Sequence, residues 1–107
     1  MTRKALIAGN WKMFKTVGES LALIRKLKIS VGQMRDRDIV VCPPFTALKS
    51  ASEILSDSTI RLGAQNMHFE KEGAFTGEIS PAMLSDLGVT HVILGHSERR
   101  HVFGESD

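Results

Sequence analysis

Four short apolar runs, Ala5 to Ala8, Ile39 to Cys42, Ile60 to Ala64 and Val92 to Leu94, punctuate this chain without the strict apolar–polar alternation of a half-exposed strand. Runs of that kind read as strands buried on both faces, as in a parallel sheet covered by helices. The intervening segments agree. Leu21, Ile24, Leu27 and Val31 recur at three- and four-residue spacing, with Glu19, Arg25, Lys26 and Lys28 at other positions, which predicts an amphipathic helix after the first strand. Leu48, Ala51, Ile54 and Leu55 predict a second helix, following Pro43-Pro44 and closing before Asp57-Ser58. Ser80 as cap and Pro81 as first helical residue predict a third, with Met83, Leu84 and Leu87 inward and Gly88 just past its end. Strand, helix, strand, helix, strand, loop, helix, strand is a series of right-handed crossovers, which builds either an open doubly wound sheet or a closed barrel.

Composition narrows the function classes. Fourteen Lys plus Arg against twelve Asp plus Glu give a formal charge of +2, too small a surplus to require nucleic acid or an anionic membrane as partner. The single cysteine, Cys42, excludes an intramolecular disulfide framework and fits a reducing compartment, so the cytoplasm is the expected location. The first apolar run stops at Ala8, too short for a signal peptide, and nothing approaches the roughly 18 apolar residues of a membrane span. His68, His91 and His101 lack the partners or spacing for a zinc site, and no HExxH or CxxC word appears. No glycine-rich nucleotide fingerprint appears either, so neither metal nor cofactor is expected. The long stretch from Asn66 to Ile79 has little periodicity and an apolar tip at Ala74-Phe75-Thr76, the kind of loop that usually has a function.

Two strand ends carry the candidate chemistry. At Val92-Ile93-Leu94-Gly95-His96-Ser97-Glu98 an apolar strand ends at a glycine and delivers a histidine to a new helix. At Ala5-Leu6-Ile7-Ala8-Gly9-Asn10-Trp11-Lys12 a strand is followed at once by an amide and an ammonium. In parallel α/β folds ligands meet the carboxyl ends of strands, where the amides opening the next helix carry partial positive charge. Asn10, Lys12 and His96 are therefore expected to converge there. Taken alone, Lys12 reads as a solvated charge, Asn10 as a turn cap, Ser97 as a helix cap and Glu98 as a dipole-favoured acid. Gln65 and Asn66, leaving the third strand, could orient the site or simply satisfy turn backbone. Trp11 and Cys42 read as packing residues.

GNWKM at Gly9–Met13, GAFTGEISPAML at Gly73–Leu84 and HVILGHSERRHVFGESD at His91–Asp107 resemble the triosephosphate isomerase family, and the resemblance runs along essentially the whole chain. It implies a (β/α)8 TIM barrel. A barrel of that kind needs about 250 residues, so residues 1–107 are expected to be the N-terminal half of one TIM-barrel domain, its first four β/α units, without the C-terminal half. The resemblance implies interconversion of dihydroxyacetone phosphate and glyceraldehyde 3-phosphate through an enediolate. His96 would be the catalytic electrophile, a neutral imidazole of which this family is the type case. Lys12 would balance phosphate and enediolate charge, Asn10 would bind substrate with it, and Ser97 and Glu98 would stand beside the site, Glu98 pairing with Lys12. Phe75 and Thr76 would contact a second subunit in a homodimer.

The family's base is a glutamate after the sixth strand, and its phosphate-binding amides follow the seventh and eighth. Neither lies within residues 1–107, so this stretch alone is expected to lack isomerase turnover. Its first and fourth strands are also expected to be unpaired edges. The alternative reading is a non-catalytic half-barrel serving as an assembly or anion-binding module.

Overall fold

The computed structural model describes residues 4–94, 96 and 99. Four parallel strands lie in sequence order: β1 (Ala5–Asn10), β2 (Arg37–Cys42), β3 (Arg61–Ala64) and β4 (His91–Val92). Helix α1 (Val17–Val31) joins β1 to β2, a 3-10 turn (Phe45–Ala47) and α2 (Leu48–Leu55) join β2 to β3, and α3 (Pro81–Asp86) precedes β4. This is the expected element order.

Helices α1 and α3 each start on a side-chain cap. Thr16 caps α1 in a reciprocal box: its hydroxyl accepts the Glu19 N–H, and the Glu19 carboxylate accepts the Thr16 N–H at 3.0 Å. Two otherwise unpaired amides are thereby satisfied. This Thr-x-x-Glu word is legible in the sequence but is obscured by the helical periodicity that follows it. Ser80 accepts the Met83 N–H at 3.3 Å, with Pro81 behind it, as expected. The far end of α3 closes when Gly88 N–H reaches Ser85 and Val89 N–H reaches Leu84. That paired closure needs a left-handed residue between, and Gly88 supplies it at φ +79°.

The core forms where helices meet the sheet: Ile24, Val41, Leu48, Ala51, Leu55, Leu62 and Leu84 pack as one cluster, with Trp11 and Leu27 against it. Burying a side chain such as Leu48 stabilises by about 1.5–3 kcal/mol. Val40 and Cys42 alternate away from Val41 and face the other side of the sheet, also buried. Gly63 makes room for them. A Cβ there would lie 2.6 Å from Cys42 Sγ and 2.9 Å from Val40 Cγ1.

Two expectations need correction. β1 is not buried on both faces: Leu6 and Ile7 are 55% and 50% exposed, because β1 is an edge strand paired only with β2. Met83 does not point inward. It is exposed, since it stands one residue, about 100° of helix, from the buried Leu84.

Candidate active site

Asn10, Gln65 and His96 meet at the carboxyl ends of the strands. Nδ2 of Asn10 and Nδ1 of His96 are 3.2 Å apart, and Nε2 of His96 hydrogen-bonds the Gln65 carbonyl. The first contact has a topological consequence. Strands β1 and β4 are separated by two others, and at about 4.8 Å per strand a flat sheet would set them roughly 14 Å apart. An Asn10–His96 hydrogen bond fits a sheet that curls toward itself at this end, as a barrel wall does.

The same bonds assign the protons. Oδ1 of Asn10 accepts the Lys12 N–H at 2.9 Å, which fixes the amide so that its NH2 faces His96. Nδ1 of His96 must then accept. A carbonyl cannot donate, so Nε2 carries the hydrogen toward Gln65. The imidazole is placed as a neutral Nε2–H tautomer by its partners' chemistry.

Lys12 follows with its backbone at φ +50°, a region that non-glycine residues seldom occupy. Two hydrogen bonds hold that turn. Besides the Asn10 side chain on the Lys12 N–H, Gln65 Nε2 donates to the Lys12 carbonyl at 2.7 Å and to the Cys42 carbonyl at 2.9 Å. Gln65 thus joins the ends of β1 and β2 through its side chain and the histidine through its backbone. Backbone strain held this way clusters at functional sites. The Arg99 N–H donates to the His96 carbonyl at 3.1 Å.

Of the residues expected in the site, Asn10 and His96 are in direct contact, and Lys12 is tied to the same cluster by its backbone. Asn10 does cap its turn, but the same amide also faces the histidine. Ser97 and Glu98 lie outside the described residues. Phe75 and Thr76 sit in the loop between β3 and α3; Phe75 folds back on His68, with ring centroids 4.2 Å apart, and is 44% exposed, whereas Phe69 is 81% exposed. Gln65 is the residue whose part exceeds its sequence signal. Its position just after β3 resembles that of Asn10 at the end of β1, yet an amide leaving a strand is ordinary enough to pass as turn chemistry.

Cys42 is fully buried, and burial pushes its thiol up to about 11, so it packs rather than attacks. Among the described residues no group of three or more His, Cys, Asp or Glu side chains could hold a metal ion. Among the same residues no helix is long and apolar enough to cross a membrane.

The sequence model of the triosephosphate isomerase family matches residues 5–107. The chain belongs to the triosephosphate isomerase family. It is 58% identical over 105 residues to the triosephosphate isomerase of Chloroflexus aurantiacus and 62% identical over 105 residues to that of Carboxydothermus hydrogenoformans. In each case the match takes in 98% of this chain and 42% of the relative, so the chain spans less than half the length of these relatives. The crystal structure of triosephosphate isomerase from Bartonella henselae superposes with a TM-score of 0.89 at 46% identity, covering 97% of this chain and 43% of that one. The four parallel strands are thus part of a TIM barrel. The expected fold class is borne out, and the curl inferred from Asn10 and His96 has its explanation in that architecture.

Proposed function

We propose that these residues form the N-terminal part of an enzyme that interconverts dihydroxyacetone phosphate and D-glyceraldehyde 3-phosphate through an enediolate. The observation that carries this reading is the placement of His96: a neutral imidazole whose Nε2–H already points at a carbonyl oxygen, that of Gln65. A substrate carbonyl taking the place of Gln65 as acceptor would be polarised by the same N–H. Proton removal from the adjacent carbon then leaves charge on oxygen rather than on carbon. Lys12 and Asn10 stand on the turn beside it, where an ammonium and an amide can bind substrate and balance the developing charge. Glu98 would pair with Lys12 and Ser97 would brace the helix start. The base that removes the proton would come from sequence that the relatives have and residues 1–107 do not include.

Two further parts of the reading concern setting. The enzyme works as a homodimer in which the loop carrying Phe75 and Thr76 docks on a second subunit; the exposed Phe69 and half-exposed Phe75 on one long loop support this. It acts in the cytoplasm, which suits a lone reduced cysteine. The test is an NMR assay in D2O with the protein at the length of its relatives. Enediolate chemistry delivers product carrying solvent deuterium at the former carbonyl carbon, which gains the new C–H bond, whereas a direct hydride shift would carry none. Product without deuterium, or no conversion at all, would reject the proposal.

A further inference from the structure

The amino ends of the strands, opposite the candidate active site, carry a different concentration of charge. Lys4 precedes β1, Arg37 begins β2 and Arg61 begins β3. With Arg35 from the loop before β2, these four cations line a cavity of about 320 Å³ whose lining includes one carboxylate, Asp38. The chain as a whole carries only +2, so four cations around one cavity are a local concentration of charge. Two of the four are partly neutralised: Lys4 approaches Asp38 at 3.8 Å, and Arg37 makes a two-point contact with Asp36 at 2.7 and 3.3 Å. Arg35 and Arg61 have no carboxylate partner among the described residues.

The cavity wall is built, not incidental. Thr59 lies between two loops, its N–H on the Gly32 carbonyl and its hydroxyl within reach of the carbonyls of Gly32 and Met34, at 2.8 and 3.1 Å. That ties the loop bearing Arg35 to the start of β3, which bears Arg61. Every lining residue comes from β1, β2, β3 or the loops before them. The volume is many times the roughly 10–15 Å³ that one water needs on this measure, more than a single small anion needs. Guanidinium groups present paired N–H donors that match phosphate oxygens two at a time.

We propose that this cavity is a second anion site, selective for a compact anion with two linked phosphate groups and separate from the site at Asn10, Lys12 and His96. The recognised chemistry is the diphosphate, whether free as pyrophosphate or borne by a nucleotide. Calorimetric titration with inorganic pyrophosphate, in the absence of divalent metal, tests it on the protein and on three variants. Arg35→Ser combined with Arg61→Ser should weaken binding at least about tenfold, since both lost contacts are charge-assisted. Arg25→Ser combined with Lys49→Ser removes the same charge from elsewhere on the exposed surface and should change affinity less than about threefold, as screened distant charges do. Lys12→Ala should leave this binding in place. ADP competing with pyrophosphate while AMP does not would extend the site to nucleotides; pyrophosphate alone binding would confine it to the free anion. Equal losses in the two double variants, loss in Lys12→Ala alone, or no binding by the unmodified protein would each overturn the proposal. Unchanged thermal unfolding of the variants excludes misfolding as the cause.

Discussion

The side-chain amide of Asn10 donates to His96 across 86 positions of sequence, and it can do so because its oxygen is already held by the Lys12 N–H. One short side chain therefore sets both the turn that presents the lysine and the tautomer of the histidine. Nitrogen-15 NMR of the imidazole should find a protonated Nε2 and an unprotonated, accepting Nδ1. At the length of its relatives, Asn10→Ala should lower kcat/KM by about tenfold or more, since the ring loses its donor and the turn its cap. A proton found on Nδ1 would mean that the ring's partners have been assigned in reverse.

Gln65 holds the left-handed turn at Lys12 from the other side. Gln65→Leu preserves bulk and removes both donated hydrogen bonds, so stability in urea should fall by about 1–3 kcal/mol. Gln65→Glu keeps the shape but offers carbonyls no donor, and should resemble Gln65→Leu more than the parent. If the two variants unfold at the parent's denaturant midpoint, the clamp contributes nothing measurable.

Gly63 is a packing requirement. An added methyl would press on Cys42 Sγ and Val40 Cγ1, both belonging to buried residues on the neighbouring strand. Gly63→Ala should destabilise by about 1–3 kcal/mol, the usual range for overpacking. Trimming the neighbour in Gly63→Ala combined with Val40→Ala should give a loss smaller than the sum of the single losses. Strict additivity would show that the methyl does not meet Val40.

The pH profile of stability should fall at both ends. The Thr16 N–H and hydroxyl hold the Glu19 carboxyl below its ordinary 4.5, and the Lys28 ammonium, hydrogen-bonded at 2.6 Å, holds Asp57 below 3.8. A depressed folded-state value gives stability that is present above the unfolded value and is lost as pH falls through the folded one. Both groups are solvent-exposed and screened, so this acid loss should be small. Cys42 acts at the other end. Its thiol ionises near 11 when folded against 9.0 ordinarily, so stability should decline once pH passes about 9 and the unfolded chain alone releases the proton. Alkylation of Cys42 at pH 8 should be slow until denaturant is added. Rapid labelling of the folded protein would contradict its burial.

Much of this was legible before any coordinates. Ser80, Pro81 and Gly88 marked α3 because capping and left-handed closure restrict which residues can stand there. Asn10, Lys12 and His96 were legible because each follows an apolar run, and parallel strands send their carboxyl ends to one side. The apolar run at Leu6 and Ile7 does not itself reveal their exposure; that follows from the place of β1 at the edge of a half-barrel. Nor was φ +50° at Lys12 legible: lysine has no preference for that region, and tertiary hydrogen bonds from Gln65 and Asn10 impose it. Gln65 as the hub needed three loops in space at once.

The most direct test joins residues 1–107 to the C-terminal remainder of the Carboxydothermus hydrogenoformans relative and measures conversion of glyceraldehyde 3-phosphate to dihydroxyacetone phosphate. A working electrophile and cation predict turnover that His96→Gln and Lys12→Ala each reduce by about a hundredfold or more, without loss of fold. A folded hybrid that fails to turn over, or whose turnover survives both substitutions, would contradict the assignment of this site.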